Sequence, residues 1–288
     1  MNKELEEILQ RLGELLPGPA PAADWKASIA FRWRSSGRPG TSRGNSGWLQ
    51  PVRQVHRIRL SDLRGIDQQI ERVEQNTRQF MKAQPANNVL LTGARGTGKS
   101  SIVKGLLNKY AKQGLRLIEV EKNDLVDLPQ IVDQVAGRAE RCLLFCDDLS
   151  FHGAEDGYIA LKVALDGSIS TTSENMLIYA TSNRRHLMPE YMAENLETKY
   201  VGDEIHPGET VEEKISLSER FGLWVTFYPF DQDEYLEIVA HWLKTLGAQW
   251  SDVAREEALQ WSLQRGSRSG RVAYQFARDW AGRHMKKA

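Results

Sequence analysis

The chain has 288 residues, 41% of them hydrophobic and 26% charged, which is ordinary for a soluble globular protein. Lysine plus arginine and aspartate plus glutamate number 38 each, so no net charge draws the whole molecule to nucleic acid or to a membrane. No apolar run approaches the roughly 18 to 20 residues of a membrane span, and acids interrupt the apolar N-terminal stretch, which argues against a signal peptide. The two cysteines, Cys142 and Cys146, are predicted to be buried thiols of a cytoplasmic protein.

The first 55 residues are predicted to be an appendage. Leucine and isoleucine recur at helical spacing through residues 2–16, and a proline-rich linker follows Pro17. Residues 26–59 contain seven arginines and no acid. Two interpretations stay open: the arginines contact nucleic acid while tryptophans stack on bases, or Phe31 and Trp33 pack on the core. In the second, the arginines are solvated or pair with an acidic loop of about residues 190–213, from the same or a neighbouring subunit.

Strands and helices alternate after the appendage. Short apolar strands are predicted over residues 88–92, 115–120, 142–146, 175–180 and 224–228. The helices between them cover about 99–112, 128–139 and 155–165, and three more follow at 232–246, 252–264 and 270–286. This pattern predicts an α/β fold, with a parallel sheet in an αβα core over residues 56–230 and an all-helical lid over residues 231–288.

The segment "GARGTGKS", residues 93–100, matches the phosphate-binding pattern G-x-x-x-x-G-K-[ST] and lies between a predicted strand and a helix. Its glycines let backbone N–H groups curl around a phosphate, and the next helix presents its positive end to the same anion. Lys99 is expected to reach the β- and γ-phosphates, and Ser100 to bind Mg²⁺. The predicted nucleotide-binding residues here are Gly93, Ala94, Arg95, Gly96, Thr97, Gly98, Lys99, Ser100 and Ser101.

Two neighbouring strands are predicted to end in polar side chains beside this loop. "CLLFC" stops at Asp147, which would hold the metal, and Asp148, which would polarise the attacking water. An aspartate is one carbon–carbon bond, about 1.5 Å, shorter than the usual glutamate. Misplacement of a base on that scale costs on the order of a hundredfold in rate, so slow turnover and a nucleotide switch with little turnover both stay open. Asn183 ends the next strand, where it would orient the water or only form part of a turn.

The ordered set of the phosphate loop, "FCDD", "ATSN", "SLSERFG" and "RSGRVA" resembles the AAA+ P-loop ATPases. The longer phrases "NNVLLTGARGTGKSS", "IYATSNRRHLMPE" and "EKISLSERFGLWVTFYPFDQDEYL" resemble a family of bacterial predicted AAA+ ATPases that is labelled as a domain of unknown function. The resemblance implies that Asn183 senses the γ-phosphate and that Arg220 reaches the nucleotide of a neighbouring subunit. It also implies that Arg271, with Arg268 as a competitor, senses the nucleotide from the lid. Adenine is expected to lie against Leu63, Gly65 and Ile66.

The resemblance implies a magnesium- and ATP-dependent enzyme that works as a homo-oligomeric ring, expected to be a hexamer, and remodels or regulates a partner protein. A nucleic-acid loader of the replication-initiator type and a nucleotide-dependent switch are the alternatives. Many unfoldases of this class carry a pore-loop aromatic after the second strand, whereas residues 119–128 read "EVEKNDLVDL". The lack of an aromatic there makes polypeptide threading a weaker hypothesis than an adaptor-like remodelling role.

Overall fold

The computed structural model describes residues 23–35, 47–151, 156–166, 174–183, 199–201, 204–206 and 217–284. The helix predicted over residues 2–16 and most of the acidic loop lie outside these ranges. The strands are β1 (Ala30–Arg34), β2 (Trp48–Pro51), β3 (Val89–Gly93), β4 (Leu115–Glu119), β5 (Arg141–Cys146), β6 (Met176–Ser182), β7 (Lys199–Val201), β8 (Glu204–His206) and β9 (Leu223–Phe227). The α-helices are α1 (Asp67–Met81), α2 (Lys99–Tyr110), α3 (Leu128–Val135), α4 (Asp156–Asp166), α5 (Gln232–Thr245), α6 (Asp252–Gln264) and α7 (Gly270–His284).

Seven strands form one sheet in the order β2-β1-β4-β5-β6-β3-β9. From β1 to β9 each strand is parallel to its neighbours in this order, whereas β2 is antiparallel to β1. The central strands are short and almost wholly apolar, which suits a parallel sheet that is buried on both faces. β7 and β8 pair with each other in a separate two-stranded sheet. The predicted α/β class with a parallel sheet is confirmed.

Helices cover both faces of this sheet. Successive residues of a strand point to opposite faces, so Leu91 packs with Ile102 of α2 in one cluster and Leu90 packs with Ile131 of α3 in the other. The first cluster continues into the C-terminal helices through Phe276 of α7. Because both faces are covered, the carboxyl ends of the parallel strands are the place where the sheet can present polar groups to a ligand.

The N-terminal strands differ from the predicted appendage, since β1 and β2 extend the core sheet beyond β4. Phe31 and Trp33 are fully buried, and the Trp33 Nε1 donates a hydrogen bond to Oδ2 of the buried Asp127 at 2.9 Å. The arginines that alternate with them turn outward, where Arg32 pairs with Glu119 at 2.8 Å and Arg34 with Glu121 at 3.5 Å. Phe31 and Trp33 therefore pack on the core, as the second interpretation of this segment predicts, and the alternation of apolar and charged residues in "FRWR" is typical of a half-buried strand.

The helices α5, α6 and α7 form the C-terminal part of the chain, with α5 packed along α7. A capping box starts α5: the Asp231 carboxylate accepts from the Glu234 N–H, and the Glu234 carboxylate accepts from the Asp231 N–H, both at 2.9 Å. Ser251 caps α6 by accepting from the N–H of Ala254 at 3.1 Å. The predicted C-terminal helices are present, and no helix within the described ranges is both long and apolar enough to cross a membrane.

The two cysteines lie in β5 as free, buried thiols. Burial raises the pKa of each thiol to about 12. Both therefore stay protonated and unreactive at neutral pH, in agreement with the predicted core role.

Replacing Gly47 with alanine tests whether β1 and β2 belong to the folded core. A Cβ at this position would lie 1.8 Å from Cζ2 of the buried Trp33 ring, so the ring has to move. We expect Gly47→Ala to lower the free energy of unfolding in urea by about 1–3 kcal/mol. Gly282→Ala is the matched control, because a Cβ there meets nothing within 4 Å and lies in a helix. An unchanged stability of Gly47→Ala would contradict the tight packing of Gly47, the residue before β2, against the Trp33 ring.

Candidate nucleotide-binding site

The turn between β3 and α2 is built from glycines. Gly93, Gly96 and Gly98 have φ angles of 123°, 74° and 103°, a backbone region that other residues rarely adopt. A Cβ on Gly96 would lie 2.8 Å from the Ser269 Oγ, so this glycine also lets the turn approach the start of α7. α2 begins at Lys99 with Gly98 as its N-cap, and no side chain caps the helix. The N–H groups of its first turn are therefore available to bind an anion.

Lys99 lies under this loop. Its Nζ donates to the carbonyl oxygens of Gly93 and Ala94 at 2.7 Å each and to Oδ1 of Asn183 at 3.1 Å. Burial lowers the pKa of Lys99 to about 8, although the two carboxylates that follow β5 act in the opposite direction. A phosphate beside this ammonium would favour its charged form, because an opposite charge nearby raises the pKa of a lysine.

Asp147 follows β5 and faces the start of α2. Its Oδ1 accepts hydrogen bonds from the Ser100 Oγ at 2.5 Å and from the Thr181 Oγ1 at 2.6 Å. Carboxylate and hydroxyl oxygens are the hard ligands that Mg²⁺ prefers, and this ion usually takes few protein ligands together with phosphates and water. The described residues include no group of three or more His, Cys, Asp and Glu side chains suited to a metal. The donor set thus fits Mg²⁺ bound together with a nucleotide.

Asp148, the next residue, is held by the neighbouring strand. Its backbone has φ of 54°, and its N–H donates to the Thr181 Oγ1 at 2.9 Å. Its side-chain Oδ1 accepts from the Asn183 Nδ2 at 2.5 Å. Since Asn183 also accepts from Lys99, the ammonium of Lys99 and this carboxylate share one amide. The structure therefore brings together Lys99, Asp147, Asp148 and Asn183, as the sequence predicts.

These groups lie in a cleft of about 970 Å³ between the sheet and the C-terminal helices. Of the loop, residues 95–101 line the cleft, whereas Gly93 and Ala94 lie behind it with their carbonyl groups on Lys99. Leu63 and Ile66 also line the cleft, while Gly65 lies next to them with φ of 71° and is not among the lining residues.

The C-terminal helices add a wall that the sequence does not predict. Trp242 of α5 and Tyr274 of α7 line the cleft with ring centroids 4.6 Å apart, together with Ile238. Such a wall is suited to a flat, partly apolar group such as a nucleobase. No local motif marks these three residues, because their position depends on how the helices pack on the sheet. No motif distinguishes Thr181 either, because in the sequence it is only one of several polar residues at the end of β6.

Arg268 and Arg271 differ in their position relative to the cleft. Arg271 lies in the first turn of α7, lines the cleft and donates its backbone N–H to the Gly96 carbonyl at 3.4 Å. Its charge is close enough to contribute to the lowered pKa of Lys99. Arg268 precedes the helix and is not among the residues that line the cleft.

Arg220 lies apart from these residues. It lies in the turn before β9, forms an ion pair with Asp166 at the end of α4, and does not line the cleft of its own chain. The arrangement within one chain therefore leaves any contact between Arg220 and a nucleotide to a neighbouring subunit.

The order of the strands, the glycine-rich turn, and the paired acids define the AAA+ class of P-loop fold. Three solved structures are similar in fold: the FIGL-1 AAA domain in complex with ADP (TM-score 0.52, 16% identity, 79% of this chain and 74% of that one), Aeropyrum pernix ORC1 in complex with DNA (0.53, 13%, 78% and 62%), and a point mutant of Thermotoga maritima RuvB (0.50, 16%, 76% and 63%). The chain thus spans less than two thirds of the length of RuvB and ORC1.

The chain belongs to the family described as "Protein of unknown function (DUF815)", which matches residues 26–284. No protein of curated function matches the sequence. The family match covers β1 and β2 as well as the cleft, so the strands that extend the sheet are part of the family's common region.

Removing the Arg271 side chain tests its place in the cleft. We expect Arg271→Ala to weaken binding of a fluorescent ATP analogue by about tenfold, since a hydrogen bond to a charged group contributes roughly 1.5–3 kcal/mol. Arg268→Ala removes the same charge outside the cleft and should change the affinity by less than about twofold, as exposed charges are screened. Equal losses in the two variants would contradict the assignment to Arg271.

Proposed function

We propose that this protein binds magnesium ATP between its sheet and its C-terminal helices and hydrolyses it slowly. The observation that carries the proposal is the hydrogen-bonded chain from the Lys99 ammonium through the Asn183 amide to the Asp148 carboxylate, beside the glycine-rich turn. The charge of the cleft also supports nucleotide binding. The described residues that line the cleft include seven lysines and arginines and three aspartates. Such a surplus of cations suits a polyphosphate in a chain that is neutral as a whole.

Each side chain would then have a distinct part in hydrolysis. Lys99 and the N–H groups of the first turn of α2 would hold the phosphates in place. Ser100 and Asp147 would hold Mg²⁺, which when bound neutralises charge on the phosphate oxygens. Asp148 would accept a proton from the attacking water, and Asn183 would keep both the carboxylate and that water oriented. The short reach of Asp148 is the reason to expect slow turnover.

Asp148→Asn separates binding from hydrolysis. We expect this variant to bind the fluorescent ATP analogue with an affinity within about threefold of wild type, while the hydrolysis rate falls by about 10²–10⁴-fold with the loss of the base. Asp252→Asn removes an exposed carboxylate at the start of α6 and should leave both quantities unchanged. A wild-type hydrolysis rate in Asp148→Asn would show that Asp148 is not the base, and a wild-type protein that binds no nucleotide would refute the proposed function.

We further propose that the chain works as a homo-oligomeric ring in which Arg220 completes the site of the next subunit. Two observations support this: Arg220 lies outside its own cleft, and its pairing with Asp166 holds it near the amino end of β9. A cation supplied from a neighbour would stabilise charge on the phosphates as hydrolysis proceeds. Hydrolysis per chain should therefore rise with protein concentration.

Complementation between two inactive variants tests this arrangement. Lys99→Ala has a defective cleft with an intact Arg220, and Arg220→Ala has the reverse, so each alone should lose about 10³-fold or more in hydrolysis rate. Their mixture should regain activity, because some interfaces then combine an intact cleft with an intact arginine. Asp166→Asn controls for loss of the ion pair and should stay active. Wild-type activity of Arg220→Ala alone would exclude the role in the neighbouring subunit.

The proposed work of the assembly is to remodel or regulate a partner protein. The segment after β4 carries no aromatic side chain between residues 119 and 128, so threading of unfolded chains is not part of the proposal. ORC1 was solved in complex with DNA, and a nucleic-acid remodeller is therefore the second candidate. One observation on this chain favours it: Arg57 and Arg59, which also line the nucleotide cleft, line a second cleft of about 540 Å³ together with Lys109, which pairs with Glu74.

A salt titration decides on the nucleic-acid candidate. If it is right, wild type binds a fluorescent oligonucleotide with an affinity that falls as salt rises, and the double variant Arg57→Ala, Arg59→Ala loses about two units of the log–log salt slope. The double variant Arg32→Ala, Arg34→Ala is the control, because it removes equal charge from residues that pair with Glu119 and Glu121. Binding that does not respond to salt would retire this candidate.

A further inference from the structure

Thr181, at the end of β6, connects the two aspartates that follow β5. The side chain is 2% exposed. Its Oγ1 donates to Oδ1 of Asp147 at 2.6 Å and accepts from the N–H of Asp148 at 2.9 Å, while its carbonyl accepts from the N–H of Leu149 at 2.7 Å. A hydroxyl has one proton to donate and can accept at the same time. One residue therefore holds three consecutive residues of the neighbouring strand end.

The bond to Asp147 fixes which of its oxygens is used. Oδ1 accepts from both Thr181 and Ser100, so the carboxylate is turned with this oxygen toward α2. Oδ2 takes no part in these two bonds, so the carboxylate can present it to a metal or to metal-bound water. Groups that orient a ligand in this way affect metal affinity without touching the ion.

The bond to Asp148 fixes the backbone. The φ of 54° at this residue is unfavourable for most side chains and persists where surrounding contacts determine it. The Thr181 hydroxyl supplies such a contact by accepting the Asp148 N–H. The Asp148 carboxylate then meets the Asn183 amide at 2.5 Å. Without the hydroxyl, the N–H loses its acceptor, and the turn loses the bond that opposes its relaxation.

We propose that Thr181 is a positioning residue that sets both carboxylates through its single hydroxyl: the orientation of Asp147 toward the metal and the backbone turn that aims Asp148. This inference rests on the proposed function and deepens it. A purely structural role makes a different prediction, because removing a buried hydroxyl elsewhere in the fold would then change Mg²⁺ dependence and hydrolysis to the same extent. Thr77 of α1 is such a hydroxyl, fully buried and bonded to the Val73 carbonyl and the Tyr179 hydroxyl at 2.8 Å each.

The test compares Thr181→Val, Thr181→Ser and Thr77→Val in the full chain, using binding of a fluorescent ATP analogue titrated with Mg²⁺ together with hydrolysis. We expect Thr181→Val to raise the half-saturating Mg²⁺ concentration by about tenfold or more, as lost outer-shell partners do. Its hydrolysis rate should fall by about a hundredfold, the scale of a misplaced catalytic group. Nucleotide binding in EDTA should match wild type. Thr181→Ser keeps the hydroxyl and should retain the wild-type Mg²⁺ dependence.

Thr77→Val should lose stability while its Mg²⁺ dependence stays that of wild type. The inference is overturned if Thr181→Val keeps wild-type Mg²⁺ dependence and rate, or if Thr77→Val shows the same shift. Should the valine variant not fold, Thr181→Ser against Thr181→Ala makes the same comparison, because these two differ by the hydroxyl alone. If wild type binds and hydrolyses ATP and Thr181→Val behaves like wild type, only this inference is refuted. If wild type does not bind ATP, the proposed function is refuted as well.

Discussion

The register of three adjacent parallel strands determines the site. β5, β6 and β3 pair so that Cys146 lies opposite Ala180 and Leu91 opposite Thr181. One residue further along, Asp147 reaches the level of Thr181, and the glycine-rich turn leaves β3 beside Asn183. A slip of one residue between β5 and β6 would turn alternate side chains to the other face of the sheet. The same slip would move the Asp147 carboxylate away from the Thr181 hydroxyl that donates to it. The packing of both faces therefore fixes the chemistry at the strand ends.

Electrostatics within the cleft follows from this placement. Lys99 is 6% exposed, and burial lowers its pKa to about 8. Asp147 and Asp148 raise this pKa but offset the effect of burial only in part. Arg95 and Arg271 lower it further. A buried cation with cationic neighbours is an arrangement that an anionic ligand stabilises. The even balance of charge over the whole chain conceals this local excess, which appears only when residues distant in sequence meet in one cleft.

The features that the sequence predicted depend on local patterns, whereas those that it missed depend on contacts between distant parts of the chain. The glycine-rich turn, Asp147, Asp148 and Asn183 follow strands with clear apolar patterns, and parallel strands bring their carboxyl ends together, so local patterns suffice. Trp242 and Tyr274 carry no pattern that relates them to the turn, because the packing of α5 and α7 on the sheet places them. The packing of Phe31 and Trp33 on the core was one of two interpretations of the arginine-rich segment, but its strands were assigned to an appendage and not to the core sheet. The contact that we propose between Arg220 and a nucleotide would need a second subunit, so the structure of one chain does not contain it.

The short side chain of Asp148 is best understood together with its backbone. At φ of 54° aspartate and asparagine are tolerated several-fold better than most residues, because a short polar side chain bonds locally. A glutamate in the same turn would add a methylene and lose that tolerance. The backbone turn, held by Thr181, then determines where the carboxylate stands, and Asn183 meets it there. An aspartate at this position is therefore matched to a left-handed turn.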